Sequence, residues 1–303
     1  MRGRRGIAQL LVLWALLLLG TLALGFSLSM RTEAQAARHG VDDVRAYFQA
    51  RTGVMRAIAL LSTVSADNVM RMEIAGEEGD ASYAVRVESE SGKVDINFVS
   101  DDVLLEMLRR GGVPDEQAES VRDAILDWRD DDDIPRTRGA EASDYAQLPE
   151  PLAPRNGKLL SVGELRFVRG VTPELFDRFL SRVFTVSGNS PQVSYLLAPA
   201  IVLRSLPGIT PEGAAQIVER RAADPPLSPA DLAAMVAEGL LTSQGLTRIS
   251  GGRASNRFTI TATGRAGAGV THVVRCLAEI PGGGGKAGKI LGWLDQAPRE
   301  VEG

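Results

Sequence analysis

The amino-acid sequence predicts an α+β protein: a long N-terminal helix, an antiparallel β-framework and a large α-helical domain inserted between strands. Residues 7–30 are uncharged and mostly Leu, Ala and Val, and a helical pattern continues beyond them. Alternating apolar residues near positions 81–98 and 258–280 indicate half-buried strands. The long stretch between these two strand regions has helical periodicity, so the simplest architecture is a β-framework interrupted by helices.

The composition excludes several classes of protein. The 303 residues carry a net charge of −4, which argues against a nucleic-acid protein held by bulk basic charge. Cys276 is the only cysteine, so no intramolecular disulfide can form, and we interpret it as a core residue. His39 and His272 are the only histidines, too few to suggest a zinc site. No Ser-His-Asp set or nucleophile elbow is visible, and we therefore predict that the chain is not an enzyme.

The N-terminus predicts a membrane anchor. A bilayer core takes roughly 20 helical residues, and the run from Ile7 to Met30 is long enough to cross it. Three arginines lie in Met1–Gly6, which favours a cytoplasmic N-terminus and places the rest of the chain beyond the inner membrane. After Met30, apolar residues recur on one helical face. They are Val41, Val44, Phe48, Met55, Ile58 and Leu61.

Two hairpins are predicted around the helical stretch. We expect residues 81–87 to pair with residues 94–98, and residues 258–262 to pair with residues 270–280. The chain then enters a glycine-rich segment, and we predict that residues 281–303 form a flexible tail.

The helical stretch contains a repeat. Residues 165–174 (LRFVRGVTPE) align with residues 203–212 (LRSLPGITPE) at an offset of 38. In each copy the Gly can end one helix in the left-handed conformation, the Thr can cap the next helix, and Pro takes its first position. The element resembles helix-hairpin-helix modules that bind DNA, and a membrane-anchored DNA-binding module is the alternative function. Residues 200–250 carry a net charge of −1, so a structural or protein-contact role is favoured.

An acidic loop is the sharpest candidate site. From Asp127 to Asp144 the chain has seven acidic residues and three arginines, with four aspartates in a row. Ca²⁺ takes roughly six to eight oxygen ligands, often from alternating aspartates and a later glutamate. Asp130 and Asp132 alternate, and Glu141 is the twelfth residue counted from Asp130, although the loop is not an EF-hand. Two interpretations stay open: a calcium site, or a solvated acidic loop paired with its own arginines.

The basic leader and the apolar helix together resemble the class III signal of type IV pilins and pseudopilins. In that family a prepilin peptidase cuts after the glycine on the cytoplasmic side, which here places the cut between Gly6 and Ile7, and the new N-terminus is expected to be methylated. Pilins usually carry Glu at mature position five, where this chain has Leu11. A charge inside a bilayer is costly and is kept for a function, so its absence argues against incorporation into a repeating filament. The K-class minor pseudopilin of the type II secretion system is known for lacking this Glu.

Further motifs resemble the K class over roughly residues 4–280. They are Glu90–Asn97, Asp127–Arg136 with Gly139–Glu141 and Tyr145, Ser161–Leu165 with Gly170–Thr172, and Ala198–Gly208. The resemblance implies a pseudopilin fold, in which the long N-terminal helix packs on the antiparallel sheet, and an inserted helical domain with helix-hairpin-helix or SAM-like repeats. The chain is then divided into a leader (1–6), the transmembrane part of the helix (7–30), the pseudopilin helix and first strands (31–100), the inserted domain (101–250, with subdomains at about 101–185 and 190–250), the C-terminal strands (251–280) and the tail (281–303).

The resemblance also implies a function. A K-class protein lies at the tip of the pseudopilus, where it initiates or caps assembly with the I- and J-class minor pseudopilins for protein export across the outer membrane. Its other expected partners are the inner-membrane assembly platform and prepilin peptidase, with no nucleic acid. The chain is expected to cross the inner membrane once, with its bulk in the periplasm. The family binds calcium near the acidic loop, and the implied ligands are Asp130, Asp132, Glu141 and Asp144, with Asp127 as a further candidate.

Overall fold

A computed structural model gives the architecture and describes residues 3–63, 71–221, 223, 227–252, 255–267, 269–281 and 287–295. The α-helices are α1 (Gly3–Thr63), α2 (Asp101–Arg110), α3 (Asp115–Arg129), α4 (Ala142–Tyr145), α5 (Pro173–Leu175), α6 (Ser181–Val183), α7 (Ala200–Ser205), α8 (Pro211–Arg220), α9 (Pro229–Ala237) and α10 (Ser243–Thr247). Short 3-10 helices span Glu90–Gly92 and Val162–Phe167, and a π-helical turn, Phe176–Leu180, joins α5 to α6. The strands are β1 (Arg71–Glu78), β2 (Ala81–Ser89), β3 (Val94–Asp95), β4 (Phe184–Thr185), β5 (Val193–Ser194), β6 (Ile249–Ser250), β7 (Arg257–Ala266), β8 (Val270–Glu279) and β9 (Lys289–Asp295).

Helix α1 has an exposed apolar half and a packed half. From Leu11 to Met30 its large apolar side chains are 49–69% exposed. Among the described residues, α1 supplies the one helix with the length and apolar composition to cross a membrane, with a mean hydropathy of 2.3 in its most apolar stretch. Further along, Ala46, Ala50 and Val54 are fully buried at helical spacing, so small residues of α1 face the sheet.

The main sheet lies on the packed half of α1. Its five strands are antiparallel and follow the order β1-β2-β7-β8-β9. Alternate residues of β2 face the helix, where Tyr83, Val85 and Val87 are buried. Gly264 of β7 lies where α1 comes closest, because a Cβ atom there would overlap the carbonyl oxygen of Ala46. Small residues on both elements therefore allow the helix to settle directly on the strands.

One of the two predicted hairpins is correct. β7 and β8 pair along their whole length, as predicted. The other prediction is wrong, because β2 pairs with β1 and β7 rather than with residues 94–98. After Ser89 a buried 3-10 helix turns the chain away from the sheet, and β3 pairs in parallel with β4. Ile96 is fully buried in a second, helical core, so its alternating pattern reflects packing on helices rather than on a sheet.

The prediction of a flexible tail is wrong for Lys289–Asp295. These residues form β9, which pairs with β8 at the edge of the sheet. Trp293 packs against the core beneath α1, and a Cβ atom at Gly288 would meet the side chains of Ile280 and Ile58. Residues 282–286 and 296–303 of the predicted tail, and leader residues 1–2, lie outside the described residues.

The chain between β2 and β7 forms a helical unit (residues 94–252) with a core of its own. Leu104, Ile125, Leu180, Phe184 and Leu203 are all buried in this core. The core beneath α1 is a separate cluster built from the main sheet and the helix. The protein therefore contains two hydrophobic cores joined at the ends of β2 and β7.

The capping pattern of the sequence repeat is present in the helical unit. Gly170 and Gly208 both have φ of +85°, which confirms the left-handed conformation predicted for them. Thr210 caps α8, because its Oγ1 accepts a hydrogen bond from the N–H of Gly213 at 3.0 Å. Thr172 caps α5 in the same way, through the N–H of Leu175 at 3.2 Å.

The hairpin α7–α8 packs turn to turn against the hairpin α9–α10. The N–H of Thr242 donates to the carbonyl of Gly208 at 2.8 Å, and the N–H of Thr210 donates to the carbonyl of Leu240 at 3.1 Å. The N–H groups of Thr210 and Thr242 are thus engaged within the protein. Together with the negative charge of residues 200–250, this gives no support to the DNA-binding alternative.

The helical unit lies at the end of the sheet farther from the apolar half of α1. Ser89 and Phe258 are paired neighbours at that end, where the unit leaves β2 and returns to β7. At the opposite end, Ala81 and Ala266 pack on Ala46, the first of the buried alanines that α1 reaches after its apolar half. The unit is therefore distal to the anchor, and the sheet lies between them.

Candidate metal centre

Three of the predicted ligands converge where α3 ends. Asp130 is the C-terminal cap of α3, Asp132 lies two residues further along the loop, and Glu141 directly precedes α4. One carboxylate oxygen from each of these three residues lies within 4.8 Å of the other two. Among the described residues, no other group of three or more Asp, Glu, His or Cys side chains lies closely enough together to share a metal ion.

Glu141 is the most unusual member of this group. It is only 2% exposed, and neither carboxylate oxygen has a hydrogen-bond partner among the described residues. Burial, and then the negative charges of Asp127 and Asp130, raise the pKa of Glu141 to about 7. Oδ1 of Asp130 is also buried and unpartnered. Buried carboxylate oxygens without partners are costly, so the chemistry of this cluster favours a bound cation.

Asp127 does not belong to this group, because its carboxylate is paired with Arg136. Its side chain is fully buried, Oδ1 accepts from the guanidinium of Arg136 at 2.8 Å, and Oδ2 accepts from the backbone N–H of Arg136 at 3.2 Å. The same guanidinium contacts Oδ2 of Asp130. A Cβ atom at Gly139 would overlap Oδ2 of Asp127, so the loop closes tightly here. Asp127 thus folds the loop back onto α3 and helps to orient Asp130.

Asp144 also has another role. Its Oδ2 accepts from the backbone N–H of Glu141 at 3.0 Å, and its Oδ1 lies 3.4 Å from the guanidinium of Arg169. Of the five acidic residues predicted as ligands, the structure therefore brings three together. Asp127 and Asp144 hold the loop in place through arginines and backbone groups.

Two residues that the sequence analysis did not single out support the site. The side-chain amide of Asn156 donates to Oδ1 of Asp133 at 2.8 Å and to the carbonyl of Asp132 at 3.3 Å. Arg169 donates to the carbonyl of Arg138 at 3.0 Å. Asn156 has φ of +48°, and the Asn-Gly pair at 156–157 is a turn signal that could have drawn attention to it. Both residues lie more than twenty positions from the groups they contact, so spacing could not reveal them.

The donor set suits a hard cation. Asp130, Asp132 and Glu141 offer oxygen atoms only, and Oδ1 of Asn156 is another buried oxygen without a partner among the described residues. Ca²⁺ prefers carboxylate, carbonyl and water oxygens, whereas zinc and copper prefer nitrogen and sulfur donors. Asp130, Asp132 and Glu141 would hold the ion, which would supply the positive charge that the run of aspartates lacks.

The predicted processing site lies at the other end of the protein. The backbone of Gly6 and Ile7 belongs to α1. Leu11 is 65% exposed within the apolar half of the helix. The position where pilins usually carry Glu thus presents an apolar side chain.

Comparisons with known proteins agree with this architecture. The family model for "Type II secretion system (T2SS), protein K" matches residues 68–187. The chain is 26% identical over 202 residues to the putative type II secretion system protein K of Escherichia coli (strain K12), an alignment covering 59% of this chain and 62% of the relative. It is 36% identical over 77 residues to the type II secretion system protein K of Pectobacterium carotovorum subsp. carotovorum, covering 25% and 24%. The chain therefore spans less than two thirds of the length of these curated relatives.

The fold is shared with a solved structure. A chain in the crystal structure of the GspK-GspI-GspJ complex from the enterotoxigenic Escherichia coli type 2 secretion system aligns with a TM-score of 0.64 at 16% identity, covering 88% of this chain and 98% of that chain. The two chains therefore share a fold, which in the present chain combines an apolar N-terminal helix, an antiparallel sheet and a helical unit inserted between strands. The family model, over residues 68–187, and the curated relatives make the chain similar to protein K of the type II secretion system.

Proposed function

We propose that the chain is the minor pseudopilin at the tip of the type II secretion pseudopilus, where it initiates and caps assembly for protein export across the outer membrane. The distal position of the helical unit carries this proposal. In a filament whose subunits all point their apolar helices toward the membrane, the distal end of each subunit faces the subunit above. A unit running from Val94 to Gly252 at that end leaves little room for another subunit, so the last position suits this chain best.

The missing carboxylate in the anchor supports the same role. Leu11 stands where pilins usually carry Glu, and it is exposed on the apolar half of α1. A tip subunit has no subunit above it, so it has no N-terminus from above for a glutamate to pair with. An uncharged anchor avoids the cost of burying an unpaired carboxylate in lipid.

The proposed partners are the I- and J-class minor pseudopilins. The solved chain with the same fold comes from a complex named for GspK, GspI and GspJ. In the present chain, the face of α1 turned away from the sheet keeps an exposed apolar stripe that includes Val44 and Phe48, which are 54% and 53% exposed. Such a stripe, continuous with the membrane-crossing half, suits packing against the helices of partner subunits.

Copurification from membranes tests the partner proposal. Chain carrying a C-terminal tag should retain the I- and J-class subunits, and Phe48→Glu should lose them because a charge enters the apolar stripe. Phe48→Leu keeps the stripe apolar and should retain them. Recovery of the tagged chain without either partner would count against the proposal.

The anchor is proposed to enter the inner membrane with its N-terminus in the cytoplasm and to leave the bulk of the chain in the periplasm. Prepilin peptidase would then cut between Gly6 and Ile7 and methylate the new N-terminus. The mass of the N-terminal peptide from cells that contain this peptidase decides the point. A methylated peptide beginning at Ile7 supports the proposal, and a chain still beginning at Met1 contradicts it.

A calcium ion is proposed at Asp130, Asp132 and Glu141. The support is their convergence and the unpartnered buried oxygens of Glu141. Isothermal titration calorimetry should show Ca²⁺ binding that Glu141→Gln weakens by more than about tenfold, since a ligand charge is lost. Asp131→Asn removes an equal charge from an exposed position outside the group and should change the affinity little. Equal weakening by both variants would mean that only the general negative charge attracts the ion.

The paired hairpins α7–α8 and α9–α10 are proposed to be helix-hairpin-helix or SAM-like repeats used for protein contact, within a subdomain at about residues 190–250. The negative charge of this segment supports a protein rather than a nucleic-acid partner. A gel-shift titration at low salt should show no retardation of duplex DNA. Tight binding that weakens with salt would contradict the proposal.

A further inference from the structure

The segment that supports the acidic loop contains the only Asn-Gly pair in the sequence, Asn156 followed by Gly157. Such a pair is chemically reactive, because glycine has no side chain to shield its backbone nitrogen from the side-chain carbonyl of the preceding asparagine. Both residues are half-buried and form a bend outside any helix or strand. The N–H of Gly157 has no hydrogen-bond partner among the described residues. The nitrogen that would react is therefore not engaged in secondary structure.

Neither the backbone nor the packing requires a glycine at position 157. The φ angle of Gly157 lies outside the left-handed region, and a Cβ atom built there would meet no atom within 4 Å. An alanine therefore fits in its place, and the reactivity of the pair can be changed without disturbing the fold.

The side chain of Asn156 is held by the acidic loop. Its Nδ2 donates to Oδ1 of Asp133 at 2.8 Å and to the carbonyl of Asp132 at 3.3 Å, whereas its Oδ1 has no hydrogen-bond partner among the described residues. Both bonds run through the nitrogen that a deamidation expels. The amide can turn toward Gly157 only when these bonds break, so the closed loop protects the asparagine.

We propose that Asn156 is a site of spontaneous deamidation that is exposed to reaction when the acidic loop opens. The backbone nitrogen of Gly157 gives up its proton and attacks Cγ of Asn156. The bond from Cγ to Nδ2 breaks, and Nδ2 leaves as ammonia with that proton. Water then adds to the cyclic succinimide. Opening at one carbonyl gives aspartate, and opening at the other gives isoaspartate, with no change of oxidation state.

The product would separate the loop from its support. An ionised carboxylate at position 156 only accepts hydrogen bonds, so it cannot replace the two that Asn156 donates. It would also repel the carboxylate of Asp133, because like charges at this distance disfavour each other. Asp132 is one of the candidate metal ligands, so the reaction would alter the candidate metal centre without any enzyme.

Peptide mass spectrometry of the full chain in detergent micelles tests the proposal. The protein is incubated with chelator at mildly alkaline pH, and Asn156 is compared with Asn189, which also has positive φ but precedes a serine. Asn156 should convert faster, and its product should contain both aspartate and isoaspartate. Gly157→Ala should keep the melting temperature and slow the conversion by more than about tenfold, or about 1.4 kcal/mol of activation free energy, because the methyl group hinders the nitrogen.

Two aspartate variants separate protection by the loop from the effect of general charge. Asp133→Ala removes the acceptor at 2.8 Å and should raise the rate about fivefold, which is a lost hydrogen bond of about 1 kcal/mol expressed as a rate. Asp131→Ala removes an equal charge at an exposed position and should leave the rate near that of the wild type. The proposal is overturned if Asn156 converts no faster than Asn189 or if Gly157→Ala converts as fast as the wild type. Equal rates in the two aspartate variants would also overturn it.

Discussion

The two halves of the protein are held together by different forces. α1 and the main sheet meet through small and branched apolar residues, with Gly264 directly against Ala46. In the helical unit, arginines add a second type of link by donating to backbone carbonyls. Arg110 donates to the carbonyl of Ile209 at 2.8 Å, and Arg129 donates to the carbonyl of Val99 at 3.0 Å. The stability of α1 on the main sheet therefore depends on close packing. The stability of the helical unit depends in addition on how its charged groups are paired.

In the acidic loop, some carboxylates are paired with arginines and others are not. Asp123 and Asp127, on the last two turns of α3, are paired with Arg122 and Arg136. Glu141, in the same loop region, has no such partner among the described residues. One acidic segment thus contains both of the alternatives that the sequence left open: carboxylates satisfied by arginine and carboxylates suited to a cation.

The largest expected effect comes from disrupting the close packing of α1 on the main sheet. Gly264→Ala should lower the free energy of unfolding by more than about 3 kcal/mol, because the new methyl group overlaps the backbone of α1 and a rigid helix cannot yield cheaply. Gly292→Ala is the matched control on β9, where the nearest atom to a new Cβ is 3.8 Å away, and should cost less than about 1 kcal/mol. Urea unfolding in detergent measures both. Equal costs would show that the close approach of helix and sheet is not important for stability.

Calcium removal should be the next largest effect, and it concerns the second half. A ligand at a hundred times its dissociation constant stabilises the folded state by about 2.7 kcal/mol. Chelation should therefore lower the melting temperature of the wild type and should lower that of Glu141→Gln by much less. Fluorescence of Trp128, which is buried at the end of α3, reports on this half. A wild type that melts at the same temperature with and without chelator would contradict the proposed calcium site.

Glu90 lies where the main sheet meets the helical unit, and a variant of this residue tests the contact between them. Its buried carboxylate accepts from Thr259 of β7 at 2.7 Å and from Thr185 of the helical unit, and Lys93 lies 3.4 Å away. Burial opposes the ionisation of Glu90, but the charge of Lys93 and these hydrogen bonds outweigh burial and lower its pKa. Glu90→Gln should cost about 2 kcal/mol at neutral pH, because hydrogen bonds to a charged group are lost.

The pH dependence of this cost follows from the direction of the shift. An unfolded Glu has a pKa of about 4.3, and a lower folded value means that ionised Glu90 stabilises the protein above that pH. The stabilisation disappears as the pH falls through the folded pKa. The difference in unfolding free energy between wild type and Glu90→Gln should be constant above about pH 5 and should shrink below about pH 4. A difference that is unchanged down to pH 3 would contradict the assigned role of the charge.

The smallest effect is expected at a surface ion pair. Arg166 and Asp177 are 2.7 Å apart, but their side chains are 51% and 61% exposed. Asp177→Asn should therefore change the free energy of unfolding by less than about 0.5 kcal/mol. A larger loss would mean that solvent screens the arginines of the helical unit less than their exposure indicates.

Regular periodicity decided how much of the fold the sequence could predict. β2, β7 and β8 alternate cleanly because one face of each packs on α1, and all three were predicted. β1 was missed because Arg71–Glu78 carries polar residues that mask its alternation. β9 was missed because the preceding glycines suggested disorder, whereas Trp293 packs against the core.

The candidate site was predicted only in part. The run of aspartates and the position of Glu141 directed attention to the correct loop, but spacing could not show which acids an arginine occupies. Asp127 is held by Arg136, and this pairing depends on the loop closing tightly at Gly139. Contacts from distant segments, such as that of Asn156, appear only when the chain is folded.

The position of the chain in the pseudopilus tests the central claim most directly. Glu238→Cys places a thiol at the exposed end of α9 in the helical unit. The native Cys276 is fully buried, and burial raises its pKa to about 11, so a maleimide-gold probe should react at position 238 alone. Electron microscopy of labelled pseudopili should show gold at one end of each filament and none along its length. Gold repeated along the filament would contradict the account, because it would place subunits above the helical unit.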